Sequence, residues 1–264
     1  MTDFIASAID DELLEELQYK AGKGASYVDR RESCSFFPLG SNVYSAANGN
    51  KVLRIAINSD GFLDPSTVRF NFTLVNKATG TKRLRPLSGP WSWWRRLRVL
   101  CNQTVCEDIL DYNKLHEHYE QMQNTNVRNN DDVMGYDSRW DLVLNGAGTA
   151  TSTGPPLDTL PGVSAGSKRP CSFTLLSGLL GQSNSKYIPL KYAPIILEME
   201  IISRNDDCII IPEEDNTKPL YTIDFTNGNT STEWEIQDCQ IKADIIYLNS
   251  AVAEAYEAHL SKEN

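Results

Sequence analysis

The chain is poor in cationic side chains. Its 264 residues hold 25 Lys and Arg against 35 Asp and Glu, a formal net charge of −10 at pH 7. Binding to a nucleic-acid backbone rests on Lys/Arg density, so this balance excludes a surface built as a whole to wrap nucleic acid and leaves open only a local basic patch. No apolar run approaches the ~20 residues that a membrane span needs. The opening stretch "MTDFIASAIDDELLEELQYK" is acidic and amphipathic where a secretory leader would be basic and then apolar, so the sequons at Asn71, Asn102 and Asn229 are expected to be unused. The six cysteines (Cys34, Cys101, Cys106, Cys171, Cys208, Cys239) are scattered and form no CxxC pair. With no leader they read as reduced, buried small hydrophobes rather than disulfides.

Reaction chemistry is scarce as well. "HEHYE" offers His116 and His118, but two residues apart on a helix they point about 200° from each other and cannot share an ion. His116 with Glu120 supplies only two ligands where zinc wants three or four, so a solvated helix face is the expectation. Cys101 or Cys106 with His116 would need a lowered thiol pKa and an orienting third group, and no nucleophile motif stands near them. Asp206-Asp207 and Glu213-Glu214-Asp215 read as acidic turns without calcium-loop spacing. The expectation is therefore no catalytic residue, no metal site and no cofactor. The basic run Lys82, Arg83, Arg85, Arg95, Arg96, Arg98 sits beside Trp91, Trp93 and Trp94. It could neutralise phosphate and stack bases, but strand alternation already accounts for outward Arg96 and Arg98, with the tryptophans packed at a sheet edge.

What is abundant is β periodicity. At 41% hydrophobic and 23% charged residues, the chain has the composition of an ordered globular protein. Asp10–Tyr19 reads as a short amphipathic helix and "AGKGAS" as a joint, so residues 1–26 are expected to be an arm and 27–264 one domain. Asn48-Gly49 between apolar runs predicts a hairpin. "VRFNFTLV" alternates cleanly, as do "WRRLRVLC" and "IILEMEI". Asn102-Gln103 predicts a turn into "TVCEDI". Asp111 reads as the N-cap of a helix through Met122, with Leu115 and Tyr119 four apart. Residues 124–169 read as a long exposed loop. Short strands are expected at Cys208–Ile211 and Tyr221–Phe225. A long final strand shifts its apolar phase near Asp238, predicting a bulge, and Asn249 or Ser250 caps a closing helix to Leu260. About eight strands with an inserted helix and terminal helices predict an all-β, antiparallel two-sheet jelly-roll sandwich. Phe70, Phe72, Leu74, Leu97, Val99, Leu197, Met199, Ile201, Ile241 and Ile245 should face inward.

The run "SGPWSWWRRLRVLCNQTVCEDILDYNKLHEHYEQM" resembles a segment in the first jelly roll of double jelly-roll viral major capsid proteins, of the Polinton-like and large DNA virus type. The matching residues are Leu97, Val99, Val105, Glu107, Asp108, Ile109, Tyr112 and Asn113. "GFLDPSTVRFNFTLVN", "KYIPLKYAPIILEMEI" and "ADIIYLNSAV" are similar to that family too, so the resemblance spans roughly Phe36 to Leu260. It implies a capsid subunit that self-associates into trimeric capsomers and a lattice with other capsid proteins. Such a subunit resides in the virion, is made in the host cytoplasm or nucleus, and reads no nucleic-acid sequence. The family's subunit has two jelly rolls, whereas strands for about one are present. The chain is then a half or truncated copy, or a penton-like single jelly roll. Trp91, Trp93, Trp94, Arg95 and Arg96 are expected at a subunit contact. The alternative is a ligand- or carbohydrate-binding sandwich using the tryptophans as a platform.

Overall fold

The computed structural model describes residues 28–45, 51–80, 82, 84–123, 163–181, 186–203, 208–209 and 231–260. The expected arm, the Asn48-Gly49 turn, the loop from 124 to 162, both acidic turns and the strand at Tyr221–Phe225 lie outside them. Of the strand expected at Cys208–Ile211, only Cys208 and Ile209 are described, and Ile209 bridges Pro86.

The strands are β1 (Val28–Phe36), β2 (Val43–Tyr44), β3 (Val52–Ile57), β4 (Phe62–Leu63), β5 (Arg69–Asn76), β6 (Trp94–Cys101), β7 (Thr104–Leu110), β8 (Lys168–Thr174), β9 (Ile188–Pro189), β10 (Ile195–Ile201) and β11 (Trp234–Leu248). Helix α1 (Tyr112–Met122) follows β7, and α2 (Ser250–Leu260) follows β11.

Pairing follows a mirror rule. β6 pairs antiparallel with β7, β5 with β8, β4 with β9, β3 with β10 and β2 with β11. The chain is thus one long hairpin folded back on itself, which is the jelly roll. Wrapping that hairpin brings β6 against β10 and β5 against β11. The outcome is a four-stranded sheet ordered β3-β10-β6-β7 and a seven-stranded sheet ordered β8-β5-β11-β4-β9, with β1 and β2 also on β11.

The core lies between the inner faces of the two sheets. All ten residues expected inward are at most 2% exposed. Phe70 and Phe72 from the larger sheet meet Trp94 of the smaller one edge-on, with ring centroids 5.1 and 5.9 Å apart. Cysteines contribute as small apolar groups. None of the six is disulfide-bonded, and Cys171, Cys208 and Cys239 are buried. Burial pushes the Cys171 thiol up to about 12.

The phase shift in β11 is a bulge at Asp238, whose φ of +53° is left-handed. Its pairing with β5 slips between Gln237 and Gln240. Buried residues change parity there, from Trp234 and Ile236 to Cys239, Ile241 and Ile245. Asn42 holds the bulge. Its Oδ1 accepts from the Cys239 N–H at 3.1 Å, and its Nδ2 donates to Asp238 Oδ1 at 3.4 Å.

The two runs flanking Asn48-Gly49 meet only at an isolated antiparallel bridge, Pro38 to Ile55, where the Leu39 N–H donates to the Arg54 carbonyl at 2.8 Å, and not as a regular two-stranded hairpin. β2 pairs with β11 in one sheet and β3 with β10 in the other, so the chain changes sheets between them.

The chain divides into two compact units, Glu32–Ile245 and Met1–Arg31 with Ile246–Asn264. The first contains the paired strands listed by register above. In the second, the Asn249 carbonyl accepts from Val252 and Ala253 N–H at 3.0 Å each, opening α2 as expected. The Arg30 guanidinium lies 4.1 Å from the Tyr247 ring centroid.

Candidate assembly face

The segment from Gly89 to Met122 packs its aromatics inward and its charges outward. Gly89 precedes a 3-10 turn, Pro90–Trp93. A Cβ on Gly89 would stand 2.3 Å from the Trp91 ring, so only glycine lets the indole fold back over the chain. Trp91 stacks on His116 at 4.2 Å and donates its Nε1–H to Glu117 Oε2 at 2.9 Å. Trp93 packs against Trp234, and Trp94 against Phe70 and Phe72. The three indoles are 6%, 0% and 0% exposed. They face the protein's own interior, which takes away the platform of the carbohydrate reading. Of the five residues expected at a subunit contact, Arg95 and Arg96 keep accessible surface.

His116 is not on a solvated face. It is 3% exposed, its Nε2 lies 3.2 Å from the Thr174 carbonyl, and its Nδ1 is 3.9 Å from Glu120. Burial among Trp91, Tyr112 and Phe173 pushes its pKa down from 6.5 to about 4. The apolar pair Leu115 and Tyr119 instead faces outward, 45% and 46% exposed, while Tyr112, Asn113 and His116 form the docked side. Asp111 occupies the N-cap position with φ +48° and no side-chain cap bond; its carbonyl accepts from Lys114 and Leu115. Desolvation, then Cys106, raises the Cys101 pKa, the opposite of an activated nucleophile. Among the described residues no three His, Cys, Asp or Glu gather in metal-binding geometry. Away from the cysteines, the sequence from Gly162 to Gly166 reads G-x-S-x-G. It enters strand β8 through a turn with Gly166 at φ +69°, and the strand-to-helix elbow that exposes a catalytic serine is not there.

The outer face of the four-stranded sheet is an ordered grid. Asn102 and Gln103, both left-handed at φ +49° and +67°, close the β6–β7 hairpin as a two-residue turn. Registers then align three rows across β3, β10, β6 and β7: Val52, Glu200, Arg96 and Leu110; Arg54, Glu198, Arg98 and Asp108; and Ala56, Ile196, Leu100 and Val105. A bulge at β7 keeps Val105 and Asp108 on one face. In the middle row Glu198, 2% exposed, lies between Arg54 and Arg98 and accepts from both; Arg54 Nε reaches Oε1 at 2.7 Å. Arg96 grips Asp108 with two bonds of 2.7 and 2.6 Å. That grip holds the Asp108 carboxyl below the usual range. Of the basic run that suggested phosphate binding, Arg96 and Arg98 are bonded to carboxylates on β7 and β10. The third row is apolar throughout, with Val105 46% exposed.

No family model matches the chain, and no curated protein matches it in sequence. Solved structures do match in three dimensions. PBCV-1 VP54, as fitted into a reconstruction of the virophage Sputnik, superposes with a TM-score of 0.54 at 14% identity, covering 90% of this chain and 47% of that one. A quasi-atomic model of the PBCV-1 virus capsid gives 0.53 at 14% identity, with the same 90% and 47% coverage. The fold is that of a viral capsid jelly roll. The chain spans about half the length of the chains it matches. The jelly roll places Arg96, Arg98 and Leu100 on an outer sheet face, and Trp94, Leu97 and Val99 in the core.

Proposed function

We propose that this protein is a non-enzymatic capsid subunit, one jelly roll that assembles with copies of itself and with other capsid proteins into trimeric capsomers and a virion shell. The supporting observation is the mirror-paired jelly roll shared with the PBCV-1 capsid structures over 90% of the chain. Its functional surface is an outer sheet face, with Arg95 and Arg96 beside lateral contacts. Its place is the virion, after synthesis in the host cytoplasm or nucleus. Because it spans half of the matched chains, it acts as half of a double jelly roll or as a penton-like single one. It reads no nucleic-acid sequence in this proposal, which the bonding of Arg96 and Arg98 to Asp108 and Glu198 supports. The test is assembly of the purified chain, alone and with its neighbouring gene products, followed by sedimentation and electron microscopy. Closed rings or shells are expected. A protein that never associates but binds glycans would overturn the proposal.

A further inference from the structure

We infer that the outer face of the four-stranded sheet binds the same face of a second copy of this chain, through the apolar row Ala56, Ile196, Leu100 and Val105. This rests on the proposed capsid role and names the surface and the partner within it.

Two observations select that occupant. First, the row crosses all four strands without a polar interruption. Water in contact with such a row is released only when another apolar surface covers it. A row of this kind is complementary to itself, as an isologous contact requires, because apolar contact has no sign. Second, the charges beside the row cancel. Arg54, Arg96 and Arg98 face Glu198, Glu200 and Asp108, and all three arginines are bonded to carboxylates. A chain with a net charge of −10 repels its own copies at long range, and the approach that adds least repulsion is through a face of zero net charge. A polyanion finds no unengaged arginine among these three, and a basic partner finds Glu198 and Asp108 already occupied. Two flat sheet faces pack at about 10 Å, which a copy of the same face satisfies.

The full-length chain is measured by sedimentation velocity over a range of concentrations, with melting monitored in parallel. Leu100→Glu and Val105→Glu each place a carboxylate in the row. Tyr187→Glu, next to β9 of the larger sheet, and Met122→Glu on α1 do the same at apolar side chains that are 46% and 70% exposed and belong to no strand of this sheet. The expected result is self-association of the native chain. Either row substitution should raise the dissociation constant about tenfold or more at unchanged melting temperature, and both distant substitutions should leave it alone. Should Leu100→Glu fail to fold, Val105→Glu carries the test, since its side chain is already 46% exposed. Row variants that associate as the native chain does overturn the inference while leaving the capsid role standing. So does loss of association in the distant variants alone. A native chain that stays monomeric at every concentration and builds no shell with other capsid proteins overturns both.

Discussion

The two sheets present different outer faces to water. On the larger sheet the registers align Gln240, Asn71 and Ser172 in one row and Gln237, Thr73 and Pro170 in the next. Amides and hydroxyls dominate these two rows, Lys168 donates to Gln237 at 3.3 Å, and Asn71 Nδ2 is covered. The smaller sheet carries charges bonded among themselves and an apolar row that water cannot satisfy. One face is at ease in solvent; the other has used up its polar groups internally and leaves carbon exposed. Assembly as proposed needs both kinds of surface, kept apart. The jelly roll supplies that separation, because its two sheets turn their backs on each other.

Several measurements would break or sharpen this contrast. The scale comes from the inner side of the same strand: Leu197→Ala, at a fully buried position of β10, should cost about 3–4 kcal/mol in denaturant unfolding. The link between the sheets comes next. His116 stacks on Trp91 at the entry to β6 and meets the Thr174 carbonyl of β8. The unfolded chain takes up this proton near pH 6.5 and the folded one only near 4, so stability is full above about 6.5 and falls as pH drops toward 4. The loss is on the order of 3 kcal/mol, and His116→Phe should flatten the melting-temperature slope across that window. Outer-face charges follow. Glu198→Ala leaves two arginines facing each other and should cost about 2–3 kcal/mol, below the full value for a buried pair because both guanidiniums are partly hydrated. Gln240→Ala on the other sheet should change stability by less than about 0.5 kcal/mol. Equal losses at the two positions would erase the contrast. At the bulge the expected effect lies between these two. Asp238→Val should cost about 1–2 kcal/mol, since a β-branched residue resists positive φ, whereas Asp238→Gly should be close to neutral.

Alternation made the core legible: ten positions on β5, β6, β10 and β11 were placed on its inner side from period alone. The bulge could be read because the inward residues changed parity at Asp238. Asn102-Gln103 was readable because its turn chemistry is local. Partner choice was not local, which is why the Asn48-Gly49 signal pointed to a hairpin where β2 and β3 join different sheets. The docked side of α1 was hidden for a different reason. Its contacts are Tyr112, Asn113 and His116, which hydropathy ranks as polar, while Leu115 and Tyr119 stay outside. The indoles sit in the core because the chain folds back at Gly89, a geometry that no spacing announces. Glu198 could be seen on the polar side of its strand, but not the arginines from β3 and β6 that close over it. The apolar row had one visible trace, Ile196 sharing the face of Glu198 and Glu200.

The mirror pairing also sets a schedule for synthesis. The first contact available to a growing chain is the β6–β7 hairpin, whose strands are separated by two residues. Each later pair brackets the one before it, and β2 waits for β11, with Tyr44 opposite Ile236. Contacts this distant close slowly, because loop entropy is lost before they form. Until β11 is available, β5 is paired on the β8 edge alone and its other edge stays open. The sandwich is therefore complete only once β11 has joined, and a chaperone that shields the open edge of β5 until then should raise the yield of folded chain.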